Sequence, residues 1–474
     1  MNEKSQAPNR GDALEAAQRY FDDGGFVADL ARRVAYPTTS QEAGSEPALR
    51  AYLASEIAPS LAALGYVCAV HANPRAQYGP LLIARRVEDP GLPTVFTYGH
   101  GDVVRGQEAS WREGLSPWKV VIEGDRIYGR GTADNKGQHT INLAAIATVL
   151  AVRGSLGFNS TILIETGEET GSPGLAEFCE AHRDELAADV LIGSDGPRLR
   201  PDQPTIFGGT RGVMNFELSL DLRAGAHHSG NWGGLIANPG IVLAHALASI
   251  TDRRGQIRVP EWRPDTLTDA VRRAIAGCEV DGGSDGPEID PDWGEASLTP
   301  AERVFGWNSF EVLAFRTGNP DRPVNAIPPS AIAYCQLRFV VGTDPQDILP
   351  ALERHLAREG FGGVRVAPSR ETAMTATRLD PDDPWARWAV ASIERTLGKP
   401  PALLPNLGGT LPNDVFAGIL GMPTIWVPHS YASCSQHAPD EHMLAPLARE
   451  GLRMMTGLYW DAGAPGVPAR NGAG

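Results

Sequence analysis

The chain has 474 residues, 42% of them hydrophobic and 21% charged, which is ordinary globular composition and enough chain for two or three domains. A formal net charge of −15 argues against a nucleic-acid partner, which needs a basic face, and against an anionic membrane surface. No apolar run reaches the length of a membrane span, and the N-terminal MNEKSQAPNRGD lacks the apolar core of a secretion signal. The odd count of five cysteines, widely spaced and without a CxxC pair, suits reduced thiols in a cytoplasmic protein.

In chain order, residues 1–12 read as a disordered tail. Helical periodicity over 26–35 stops before Pro37, and a second helix over 46–64 is interrupted near Pro59 and stops at Gly65. Short strands follow at 66–70 and 81–86. The strand TVFTY at 94–98 is buried and delivers GHGDVV, which sets His100 and Asp102 at its end. Open α/β sheets hold ligands outside such strand ends. A metal-binding imidazole needs its second nitrogen held, and Asp102 is spaced to do that for His100; a satisfied structural histidine is the plain alternative. IYGRGTADNKG sets Asp134 in a Gly-flanked turn before a helix over 138–152. Its carboxylate is either a bridge between two metal ions or a helix N-cap.

TILIETGEETGS, at 161–172, is a buried strand running into Glu168 and Glu169. Adjacent carboxylates repel unless something positive sits beside them. Glu169 reads as a metal ligand and Glu168 as a general base, against the alternative of a solvated acidic turn. A helix over 174–187 and a strand over 189–192 lead to GSDG, which places Asp195 at another strand-to-loop junction. One α/β sheet thus gathers His100, Asp102, Asp134, Glu168, Glu169 and Asp195 along its carboxyl edge. Mixed imidazole and carboxylate donors favour zinc, with manganese or cobalt as alternatives. Near the far end a strand over 424–427 precedes His429, His437 and His442, and His437 in SQHAPDEH is the choice for the remaining ligand.

Taken together, GHGDVV, YGRGTADNKG, ETGEETGS, SDG, HSGNWGG, NAIP, GGTLPND and SQHAP resemble the co-catalytic metallopeptidase family. That family includes carnosine dipeptidases, aminoacylases, succinyl-diaminopimelate desuccinylase and glutamate carboxypeptidase. The resemblance implies an α/β fold: a mixed-sheet zinc-peptidase catalytic domain (13–208 and 378–474) with an inserted ferredoxin-like α+β lid and dimerisation domain (209–377). Lid elements are expected at 213–222, 236–250, 310–315, 332–341, 346–359 and 362–366; residues 256–300 read as an insertion of no assignable role. The family pattern implies two divalent ions, one held by His100 and Asp195, the other by Glu169 and His437, with Asp134 bridging. It makes Asp102 the partner of His100, Glu168 the base, and Asp134–Asn135 a cis peptide. In the lid it implies that His228 reaches a partner subunit's site and steadies the oxyanion, that Asn325 is a second substrate contact, and that Arg338 grips a substrate carboxylate. Thr410 matches a residue near that same end of the substrate.

Two departures stand out. Arg105 follows GHGDVV where many relatives carry proline, and Asp195 is an aspartate, as in dipeptidase- or aminopeptidase-like relatives, where carboxypeptidase and deacylase relatives carry glutamate. The expected function is a homodimeric, cytoplasmic hydrolase that activates water at its metal site and cleaves the amide bond of dipeptides or similar small substrates with a free carboxylate. The alternative within the same chemistry is an N-acyl amino acid amidohydrolase or a carboxypeptidase. A non-catalytic binding protein is more distant, and a serine hydrolase lacks its G-x-S-x-G elbow.

Overall fold

The computed structural model describes residues 8–280, 287–369 and 374–468. A mixed eight-stranded sheet runs in the order Val67–His71, Leu81–Arg86, Asn159–Glu165, Thr94–His100, Val190–Gly193, Thr424–Trp426, Thr205–Phe207, Ala402–Leu404. Four neighbouring strands in its middle, from Asn159–Glu165 to Thr424–Trp426, are parallel. Such strands are covered on both faces, which is why Ile162–Ile164 and Val190–Ile192 are unbroken apolar runs. One face packs against Lys136–Arg153, Ala445–Ala462 and Pro384–Leu397 through Ile141, Ile162, Ile393 and Leu458. The other face buries Phe96, Phe178, Phe416 and Trp426.

Three local expectations need correction. Residues 1–7 lie outside the described residues, but the helix Arg10–Asp22 starts inside the supposed tail, because Asn9 and Asp12 form a reciprocal capping box. The helix after Glu46 does not break at Pro59: Tyr52–Ile57 widens to i→i+5 turns and the helix continues through Ala58–Ala62. Wider turns accommodate a residue that has no N–H to donate. Conversely the single helix expected over 174–187 divides into Leu175–Ala181 and Arg183–Leu186, since His182 leaves helical geometry and packs its ring on Phe178.

A separate antiparallel sheet has the order Ser309–Thr317, Ser330–Phe339, Gly212–Asp221, Arg365–Pro368. Strand alternation puts Phe216, Leu218, Ala333, Cys335 and Leu337 on one face, where they meet the helices Pro239–Ile250 and Ile348–Arg358. This is the ferredoxin-like order that was expected. The chain passes between the two sheets twice, side by side: Leu379 N–H donates to the Gly208 carbonyl (2.8 Å) and Thr377 N–H to that of Thr210 (3.0 Å). A side chain at Gly209 would come within 2.2 Å of the Thr377 carbonyl oxygen, so only glycine permits this approach.

The 256–300 segment joins both cores. Ile257, Val259 and Trp262 sit in the core of the smaller sheet, while Val271, Ile275 and, from the following helix Pro300–Phe305, Phe305 sit in that of the larger. Residues 281–286 of this segment lie outside the described residues. Among the described residues no helix is long and apolar enough to cross a membrane.

Trp426 packs against Phe207, Tyr98 and Phe416 and donates its indole N–H to Asn413 Oδ1 (2.8 Å) beneath the loops that follow the middle strands. Trp426→Ala should cost about 3–5 kcal/mol of stability, read as a lower urea midpoint.

Candidate metal centre

The parallel strands deliver their polar residues to one edge. His100 ends Thr94–His100, Glu168 and Glu169 follow Asn159–Glu165, and Asp195 follows Val190–Gly193. Asp134 lies in the turn before Lys136–Arg153, and its peptide bond to Asn135 is cis. His437 comes from the loop between Thr424–Trp426 and His442–Leu444.

Asp134 is the centre of the group. Its Oδ1 lies 2.9 Å from His100 Nε2 and its Oδ2 lies 3.0 Å from His437 Nε2. His437 Nε2 is also 3.0 Å from Glu169 Oε2, and Asp195 Oδ2 is 3.6 Å from His100 Nε2. Two donor groups result, His100–Asp134–Asp195 and Asp134–Glu169–His437, each with ligand atoms within 4.8 Å of one another. The sequence-predicted ligands therefore converge, and Asp134 offers one oxygen to each group.

The electrostatics call for positive charge. Burial pushes Glu168 well above the usual carboxylate range, and Glu169, Asp195 and Asp134 add to it against the pull of His100. Burial, reinforced by Asp134, raises Glu169 to about 7 and Asp195 to about 6. Asp134, though buried, is held below its ordinary value by hydrogen bonds to His100 and His437. Those bonds act on the imidazoles in turn. Asp134 and then Glu169 raise His437 to about 11, and His100 rises despite its burial, through Asp102 and Asp134. Asp195 Oδ2 is buried without a hydrogen-bond partner. Such an oxygen is costly unless something cationic faces it. Imidazole and carboxylate donors, an oxygen of Asp134 for each group and the unpartnered Asp195 oxygen fit divalent metal ions.

Asp102 differs from expectation in its detail. His100 Nδ1 is 3.1 Å from the Asp102 carbonyl oxygen and 3.4 Å from its carboxylate Oδ1. The carboxylate is shared: it accepts the N–H groups of Glu168 (3.2 Å) and Glu169 (3.1 Å), tying the two strand ends together. In the smaller sheet Arg338 Nη1 donates to Thr410 Oγ1 (2.8 Å), so these two candidates meet. His228 and Asn325 are neighbours on the ribbon formed by His227–His228 and Ala326–Ile327, where Asn325 O accepts the N–H of Ser229. Both are exposed, and neither hydrogen-bonds to the carboxylate cluster within the chain.

Sequence reasoning missed several supports. Gln436 donates to Asp134 Oδ2, Asn135 Nδ2 to the Ser194 carbonyl, and Glu165 accepts from Tyr98 and Ser172. Each lies within three residues of a site residue that was named, but its side-chain direction depends on tertiary packing.

Residues 96–461 match the peptidase family M20/M25/M40. The chain belongs to this family. It is 34% identical over 398 residues to the Beta-Ala-His dipeptidase of Homo sapiens, covering 81% of this chain and 77% of that one. A match to the Beta-Ala-His dipeptidase of Rattus norvegicus, 33% identical over 184 residues, takes in 38% of this chain and only 37% of the rat protein's length. In fold, this M20 chain resembles an M20 family metallo-carboxypeptidase of Sulfolobus solfataricus, with a TM-score of 0.77 at 24% identity over 92% of this chain and 99% of that one.

Zinc added to metal-free protein should raise the melting temperature, by the equivalent of about 2.7 kcal/mol at a hundred times its Kd. Asp134→Ala should remove most of that rise, read by differential scanning fluorimetry.

Proposed function

We propose that this chain is a metal-dependent hydrolase that cleaves the amide bond of dipeptides or similarly small substrates with a free carboxylate. The observation that carries this reading is Asp134 lying between two donor groups beside Glu168. The names of the curated human and rat relatives support a dipeptide substrate. His100 and Asp195 would hold one ion, Glu169 and His437 the other, with Asp134 shared and zinc the metal best suited to these donors. Such ions, when bound, supply Lewis acidity that polarises a carbonyl and lowers the pKa of coordinated water.

The chain's own groups do the rest. Glu168 takes the proton of the attacking water and hands it to the leaving amine. Asp102 fixes His100 on one side and the amides of Glu168 and Glu169 on the other. Arg338, with Thr410 beside it, grips the substrate's carboxylate. The chain divides at about 209 and 377 into a catalytic domain and a lid, and the paired crossing at Gly209 and Thr377 supports a hinge there.

His228 and Asn325, exposed and without a hydrogen bond to their own chain's cluster, serve the site of a second copy in a homodimer. The exposed apolar side chains Leu313 (59%), Phe315 (42%) and Ile241 (60%), on the edge strand Ser309–Thr317 and the nearby helix Pro239–Ile250, support such docking. The five free cysteines support a cytoplasmic setting.

A panel of dipeptides beside N-acetyl and N-succinyl amino acids tests the substrate class. Dipeptide cleavage is expected, and cleavage of the acylated set alone overturns it in favour of a deacylase. Glu168→Gln should retain the ions and lose on the order of 10²–10⁴-fold in kcat. Mixing inactive Glu168→Gln and His228→Ala proteins should restore roughly a quarter of wild-type activity, because half the exchanged dimers carry one complete site.

A further inference from the structure

We propose that Glu441 is a positioning residue that locks the segment carrying Asp134 to the segment carrying His437. The proposal rests on the reading of those two residues as metal ligands. Glu441 is 1% exposed and its partner Arg130 is 0% exposed. One carboxylate oxygen of Glu441 accepts three consecutive-turn amides, those of Gly131 (3.0 Å), Ala133 (2.9 Å) and Asp134 (3.1 Å). The other oxygen accepts Arg130 Nη1 at 2.8 Å, and the Glu441 carbonyl accepts the N–H of Gly129 at 3.0 Å. The run from Gly129 to Asp134 is thus gathered around one residue, its side chain taking Arg130 and the amides of Gly131, Ala133 and Asp134, its carbonyl the amide of Gly129. Gly131, at φ +88°, adopts the left-handed backbone that lets its amide join this fan.

The same residue fixes the other segment. Glu441 stands four positions after His437 and immediately before the strand His442–Leu444, which pairs with Arg126–Tyr128, the strand leading into the Asp134 turn. On the far side of the loop, His442 N–H donates to the Cys434 carbonyl (3.0 Å). Between these anchors Ser435, His437 and Asp440 all hold positive φ without being glycine, a conformation that persists only where its surroundings over-determine it. Two ligands more than 300 positions apart in sequence, as the His437–Asp134 pairing requires, are brought into register by one buried carboxylate. A surface ion pair would not serve, because water would compete for the amides. Arg130, whose guanidinium lies 5.7 Å from the Trp111 ring, gives the Glu441 carboxylate a cationic partner in this dry setting.

The test is zinc affinity of metal-free protein by competition with a chromophoric chelator, together with the cobalt(II) absorption spectrum. Wild-type protein is measured first: failure to bind either ion ends the ligand reading itself. Given wild-type binding, Glu441→Gln should fold by circular dichroism yet bind zinc on the order of 10–100-fold more weakly, with an altered cobalt spectrum. The double variant Arg130→Met/Glu441→Gln removes the unpaired cation and should stay weak. Wild-type affinity in Glu441→Gln overturns the proposal. So does recovery of affinity in the double variant, which would make charge balance the whole effect. Failure of both variants to fold also overturns it, since Glu441 would then serve the fold rather than the site.

Discussion

The arrangement of this protein turns on the uneven charge around Asp134. Its two oxygens are drawn toward His100 on one side and His437 on the other, while Glu168, Glu169 and Asp195 crowd the same edge. Buried carboxylates this close cannot all remain ionised beside so few imidazoles. Protons or metal cations must make up the difference, and the donor geometry suits the cations. The fold then has one task, which is to bring side chains from distant sequence positions to that edge and keep them from moving apart.

Parallel strands accomplish this by pointing the same way. The carboxyl ends of three neighbouring strands, with the loops that follow, place His100, Glu168 with Glu169, and Asp195 at one edge. The backbone supplies much of the rigidity: the Asp102 carboxylate ties two strand ends through the amides of Glu168 and Glu169. Hydrogen bonds to backbone amides hold better than contacts between long side chains, because less conformational freedom is lost in forming them.

Much of this was legible in the sequence, for physical reasons that differ from place to place. Apolar runs ending in GHGD, GEE and SDG announce strand ends, so the carboxyl edge and its residues were readable before any coordinates. The ferredoxin-like order came from the family resemblance, and the strands Gly212–Asp221 and Ser330–Phe339 agree with it. What escaped was set by tertiary contact. Pro59 reads as a break, but widened turns before it carry the helix onward. Glu441 and Arg130 look like surface charges in the string, and only the turn folded over them reveals their burial. His228 could be matched to a motif, yet its exposed place on the ribbon of His227–His228 and Ala326–Ile327 comes from tertiary pairing.

The segment 256–300 carries a consequence for how the molecule comes apart. Trp262 is embedded among Phe216, Phe310 and Ile348, whereas Val271 and Ile275 are embedded with Leu404 and Phe416. Pulling the small sheet away as a free lever would drag one of these anchors into water. The two halves are therefore coupled in melting, and calorimetry would see them lose structure as one cooperative unit. A protease cut within this strap would loosen that coupling, leaving the small sheet held by the doubled strand crossing at Gly209 and by contacts such as Arg338 with Thr410.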